Sequence, residues 1–194
     1  MSQPTRTQTT DPASPPRRWR VVDIVVASVL GVAFGVLFAA WNNFVWPTIS
    51  APLSATPATP LLAGVWLVPA VVGALIVRKP GAAFYTELLA ATVSMFFGSA
   101  WGLSVFMSGV WQGLGAELVF AVFAYRRWGL GPALLAGGAA GVAMGVYETI
   151  VWYPEFDAPW KAVYIGSAVV TGIVIAGGLG WLLVRSLARA GVLA

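Results

Sequence analysis

Apolar residues run through this chain in long blocks rather than in the stripes of an amphipathic helix. Blocks at 21–41, 61–77, 82–97, 103–125, 130–152 and 163–184 predict helices. Most approach the ~20 residues that cross ~30 Å of hydrocarbon. The second and third are short and separated only by Arg78-Lys79-Pro80-Gly81, which predicts a helical hairpin with Pro and Gly making the turn. A single helix through that point would bury two adjacent cations. The fold class expected is therefore an all-α membrane protein with six transmembrane helices.

Residues 1–16 are rich in Thr, Pro, Ser and Gln and carry no apolar run, so a disordered tail is expected there. One six-helix transmembrane domain is expected over 17–190. The tail is not read as a signal peptide, because the first apolar block begins only after the basic run at 17–20 and is long enough to span.

Charge fixes a direction for these spans. Arg6, Arg17, Arg18, Arg20, Arg78, Lys79, Arg126, Arg127, Arg185 and Arg189 all fall on one side of a six-span arrangement, and Lys161 on the other. Basic loops face the cytoplasm, so both termini are expected there, in a multi-pass protein of the cell membrane. Composition agrees: 59% of residues are hydrophobic and 9% charged, against about 25% charged in soluble domains. The net charge of +4 is spread in pairs between apolar blocks and forms no patch, so no nucleic-acid partner is expected.

The chain contains neither Cys nor His. Disulfides, thiolate metal sites, the commonest general base and most zinc and haem sites are thereby excluded. The sequence also lacks a G-x-x-x-x-G-K-[ST] phosphate loop and an H-E-x-x-H motif. No catalytic residue, metal or cofactor is expected, and the chain is read as no enzyme.

Ionisable groups within apolar blocks are expensive and usually face a protein interior or a cavity. Asp23 lies beside Arg20, where an ion pair accounts for it. Glu87 and Glu117 lie about 10 Å and about 12 Å from the basic face at 1.5 Å per residue, where they could share a proton or bond to neighbouring helices. Glu148 sits near the opposite end of its helix amid Tyr147, Trp152 and Tyr153. A carboxylate among aromatic rings suits a cationic or amino-bearing heteroaromatic ligand, although an interfacial glutamate bonded to water would look the same. Ser104, Ser108, Trp111 and Gln112 on the fourth helix, and Tyr164, Ser167 and Thr171 on the sixth, lie at the same depth. The uncharged segment 42–60 and the segment 153–161 are either ordinary connectors or lids over a pocket.

Small residues recur at four-residue spacing in three helices: Ala27, Gly31, Gly35 and Ala39; Ala133, Gly137, Gly141 and Gly145; Ala168, Gly172, Ala176 and Gly180. Such stripes allow close helix approach, within the bundle or against a partner.

The run from Arg17 through Ala27, the Leu75-Ile-Val-Arg-Lys-Pro-Gly-Ala-Ala turn followed by Glu87, and Gln112-Gly-Leu-Gly-Ala-Glu-Leu-Val-Phe resemble YkoE-type proteins. These are substrate-binding S components of energy-coupling factor (ECF) transporters. The resemblance implies a six-helix protein that captures a vitamin from outside, here thiamine or its hydroxymethylpyrimidine precursor. It implies a transmembrane coupling subunit and cytoplasmic ATPases as partners, within the lipid bilayer. It also implies that Ala27, Gly31 and Gly35 dock the coupling subunit. Thiamine suits the proposed pocket, with Glu148 as polar anchor, Trp111, Trp152, Tyr147 and Tyr164 stacking, and Gln112 hydrogen-bonding. Trp41, Asn42, Asn43 and Trp46 are expected in the lid. Related thiamine-binding S components can use histidine in the site, and this chain has none. Two other readings stand beside this one: a free-standing secondary carrier using Glu87 and Glu117 as proton relays, and a non-transporting structural or assembly protein.

Overall fold

The computed structural model describes residues 18–99 and 101–193; the tail expected at 1–16 lies outside them. Among the described residues all regular structure is helical. We number the helices α1 (Val21–Leu53), α2 (Thr59–Val77), α3 (Ala82–Phe96), α4 (Leu103–Val122), α5 (Leu130–Val151) and α6 (Ala158–Arg189). Five of them are long and apolar enough to cross a membrane, and α3 is the shorter apolar helix.

The helices pack α1 on α3, α3 on α4, α4 on α5 and α5 on α6, with α2 against most of the others. The most apolar stretch of α2 is 67% buried, against 28% for α1 and α4, so α2 is the central helix. Leu67, Val71, Val72 and Leu75 of α2 form the middle of the core with Phe120 of α4 and Met144 of α5. Val22, Val25, Val29, Val36 and Leu37 make the outer face of α1 apolar and exposed, as a lipid-facing surface requires.

Helix ends follow from local chemistry. The turn between α2 and α3 places Arg78 at φ 53° and Gly81 at φ 86°, the left-handed region that stops one helix and lets the next begin. Glu117 of α4 caps α3 from across the bundle: its carboxylate accepts from Gly81 N at 2.6 Å, Ala83 N at 3.0 Å and Phe84 N at 3.3 Å. Asp157 starts α6 by accepting from Trp160 N at 2.9 Å, with Pro159 in the first turn. Asp23 pairs with Arg20 at 3.1 Å, as the sequence predicts, and also faces Lys79 at 3.8 Å. Trp19 donates to Pro80 O at 2.8 Å, so the start of α1 is tied to the α2–α3 turn.

Three helices depart from the expected course. The segment 42–60 is largely helical: α1 continues past Trp41 through a π-helical stretch, Trp41–Val45, and on to Leu53. Pro47 and Pro52 do not stop it, because each falls in the first turn of a new stretch, where its missing N–H costs nothing. The first nine residues of α2, Thr59–Leu67, form a 3-10 helix, and Gly172–Leu179 of α6 is π-helical.

The small-residue stripe of α1 is inside the bundle. A Cβ on Gly31 would meet Leu89 Cβ at 2.9 Å, and one on Gly35 would meet Val93 Cβ at 2.5 Å and Ala90 O at 2.9 Å. Ala27 is fully buried. Ala27, Gly31 and Gly35 therefore seat α1 on α3 within the bundle. The stripes of α5 and α6 meet each other: a Cβ on Gly137 would strike Gly172 O, and one on Gly141 would strike Ala168 O.

Candidate functional site

A cavity of about 200 Å³ lies in the half of the bundle away from the basic turns, and all six helices line it. Successive turns of α1 supply Phe38, Asn42 and Trp46. The 3-10 stretch of α2 supplies Pro60, Ala63 and Trp66. Its three-residue repeat stacks those positions on one edge, which an α-helix would fan apart. Glu87 and Ala91 come from α3, Ser104, Ser108 and Gln112 from α4, Tyr147, Glu148 and Trp152 from α5, and Tyr164 from α6. Trp101 and Tyr153 enter from the connecting segments.

One wall is indole. Trp46, Trp66 and Trp101 pack mutually, with ring centroids 4.5 Å apart for Trp46 and Trp66, 5.9 Å for Trp66 and Trp101, and 6.4 Å for Trp46 and Trp101. Trp66 donates its indole N–H to Asn42 Oδ1 at 2.8 Å, joining the 3-10 stretch of α2 to the π-helical stretch of α1. Rings clustered in this way present negative faces to a cation or a flat heteroaromatic ring.

Two carboxylates line the same cavity. Tyr164 donates its hydroxyl to Glu148 Oε2 at 2.6 Å. Tyr153 packs on Tyr164 and Phe156, with centroids 5.0 Å and 4.7 Å apart. Burial raises the Tyr153 phenol above its ordinary value, and the nearby Glu148 carboxylate adds to the shift, so Tyr153 stays a neutral donor. Glu87 is fully buried and its Oε2 accepts from Ala70 N at 3.0 Å. That N–H lies where the 3-10 stretch of α2 passes into its α-helical part, just after Pro69. In the amide orientation that satisfies its neighbours, Gln112 donates to Glu87 Oε1 at 3.1 Å and Trp66 O at 3.3 Å, and accepts from Ser108 Oγ at 2.6 Å.

The sequence-predicted residues divide accordingly. Glu148, Tyr147, Trp152, Tyr164, Gln112, Asn42 and Trp46 line the cavity. Trp111 does not: its side chain is on the outer face of α4, 46% exposed, because it stands one position from the inward-facing Gln112. Trp41 and Asn43 are also off the cavity. Asn43 is exposed and bonds Ala39 O at 2.8 Å along its own helix. Of the two alternatives for Glu87 and Glu117, the hydrogen bonds are those to neighbouring helices: Glu117 caps α3, Glu87 accepts from α2 and faces the cavity, and no hydrogen bond joins the two among the described residues.

Sequence reasoning missed Trp66, Trp101 and the cavity position of Glu87, and named Tyr153 only as a neighbour of Glu148. Trp66 lies deep in an apolar span, where it reads as core. Trp101, between Gly98 and Gly102, carried a signal that went unused: a large ring in a glycine-rich connector needs a surface to rest on. No group of three His, Cys, Asp or Glu that could hold a metal occurs among the described residues.

Comparison with known proteins agrees on one kind of molecule. The family model described as "ABC-type cobalt transport system, permease component" matches residues 22–143. A protein of Bacillus subtilis (strain 168) named YkoE and described as an HMP/thiamine permease is 32% identical over 180 residues, covering 91% of this chain and 88% of the relative. A crystal structure of an S component of an ECF transporter superposes with a TM-score of 0.83 at 32% identity, covering 91% of this chain and 89% of the other.

Proposed function

This chain belongs to the YkoE-type S components of ECF transporters, membrane transport proteins and not enzymes, and from that premise we propose that it captures hydroxymethylpyrimidine or thiamine for uptake. The observation that carries the ligand is the cavity itself, with Glu148 held by Tyr164 and the indoles of Trp46, Trp66 and Trp101 in the same lining. The thiazolium of thiamine is a permanent cation, which a carboxylate and ring faces both attract. The aminopyrimidine common to both compounds is flat, with donors and acceptors that Gln112, Ser104 and Ser108 complement. A volume of about 200 Å³ is below the ~300–1,000 Å³ typical of drug-sized ligands, which favours a ligand of one or two rings over a larger vitamin.

All six helices cross the bilayer in this reading, with α3 sheltered by its neighbours. The basic end, with Arg20, Arg78, Arg126, Arg127, Arg185 and Arg189, faces the cytoplasm together with both termini, and the cavity faces outside. A coupling subunit and two ATPases supply the energy for release inward; the chain has no phosphate loop of its own. With Ala27, Gly31 and Gly35 used internally, the coupling subunit meets another face. The cobalt of the matching family description is not favoured for this chain, which has no His or Cys to bind it.

Tryptophan fluorescence of the purified protein, titrated separately with thiamine, hydroxymethylpyrimidine and biotin, tests this reading. Saturable quenching by one of the first two and none by biotin is the expected result. No response to either in folded protein would overturn the assignment.

A further inference from the structure

We propose that the cavity discriminates against phosphorylated forms of its ligand, and that a lining without a cation, with Glu148 on its α5–α6 side, enforces it. The proposal rests on the cavity being the vitamin site. The lining contains two carboxylates and neither Lys nor Arg. A phosphate entering it would give up water without gaining a cationic partner, which a buried anion needs.

Neither orientation of an ester escapes this. A phosphate directed inward meets Glu87, whose two oxygens are already bonded to Ala70 N and Gln112, and finds no cation there. A phosphate directed toward the α5–α6 connection meets Glu148, and that connection carries the exposed Glu155 and Asp157. The cation of that connection, Lys161, donates to Pro154 O at 3.1 Å instead of turning to the cavity. Repulsion built into a site rejects a competitor without adding affinity for the correct ligand. The protein therefore selects the free alcohol, and phosphate esters have to be hydrolysed before capture.

The test compares thiamine, its phosphate monoester and its neutral acetyl ester by fluorescence titration of the wild-type protein. The expected result is acetyl ester within about tenfold of thiamine and phosphate ester weaker by about 100-fold or more, as like charges at contact in a partly dry site require. Glu148→Gln, checked for folding by thermal melting, should narrow the phosphate-to-acetyl gap by about tenfold. Equal affinity for phosphate and acetyl esters in wild type would overturn the proposal, as would a gap unchanged in the folded variant. Should the variant not fold, the wild-type comparison of the two esters decides. Absence of binding by every compound would instead overturn the ligand assignment above.

Discussion

Tyr164 holds Glu148 in place: a hydroxyl on α6 donates to a carboxylate on α5 at 2.6 Å, inside a cavity whose other walls are aromatic. Removing the hydroxyl frees the carboxylate to rotate and leaves a lone pair without a donor. A hydrogen bond to a charged group is worth about 1.5–3 kcal/mol. Tyr164→Phe should weaken thiamine binding by about tenfold or more. Glu148→Gln should cost thiamine more affinity than it costs the neutral pyrimidine, because only the charge is removed. Equal losses for the two ligands would make Glu148 a hydrogen-bonding group rather than an electrostatic one.

Trp66 and Asn42 should behave as one unit. Trp66→Phe keeps a ring in the wall but loses the 2.8 Å hydrogen bond, and Asn42→Ala loses the same bond from the other side. Each variant should weaken ligand binding several-fold, chiefly through faster release. Their double-mutant cycle should show a coupling of about 1 kcal/mol. Additive effects would mean that the bond does not hold the wall.

Trp111 of α4 and Trp101 of the α3–α4 connection separate cleanly in the structure. Trp111→Phe should leave affinity unchanged, since its ring faces outward. Trp101→Ala should reduce both affinity and the fluorescence change on binding, since it completes the indole wall. A large effect of Trp111→Phe alone would place the ligand on the outer face of α4.

Glu117→Ala removes the acceptor for three backbone N–H groups at the start of α3. The expected loss is about 2–3 kcal/mol, read as a lower melting temperature in detergent, with the preference among ligands intact. An altered preference with unchanged stability would move Glu117 into the binding site.

Gly35→Ala forces a methyl against Val93 and Ala90 O. Overpacking of this kind costs about 1–3 kcal/mol. Thermal melting of the isolated protein should register it. Normal stability with failure to assemble with a coupling subunit would restore the docking role.

The hairpin turn, the basic loops and the limits of α2 to α5 were legible in sequence because each depends on local signals: hydropathy, a Pro-Gly turn and paired cations. The course of α1 was not. The uncharged, proline-bearing segment 42–60 reads as a connector or lid, whereas the cost of Pro47 and Pro52 depends on where each falls in its helical stretch, and both fall in a first turn. Glu148 and Tyr164 were legible because a carboxylate and a phenol at matching depth on consecutive helices have few other reasons to be there. The cavity position of Glu87 was not legible, because depth counted along α3 alone does not say what faces it; Ala70 N and Gln112 come from α2 and α4. For Ala27, Gly31 and Gly35 the spacing made close approach legible but not the neighbour, which only the three-dimensional arrangement identifies as α3.

The 3-10 stretch at Thr59–Leu67 also sets the reach of α2. A residue advances about 2.0 Å in a 3-10 helix and about 1.5 Å in an α-helix, so the 19 residues Thr59–Val77 extend to about 33 Å instead of about 28 Å. The first length matches ~30 Å of hydrocarbon and the second falls short of it. The winding that stacks Pro60, Ala63 and Trp66 along the cavity thus also fits a short helix to the thickness of the bilayer. α3, with 15 residues and about 22 Å of rise, has no such extension. In the proposed six-span arrangement, lipid beside the exposed Phe96 and Phe97 thins to meet this shorter helix.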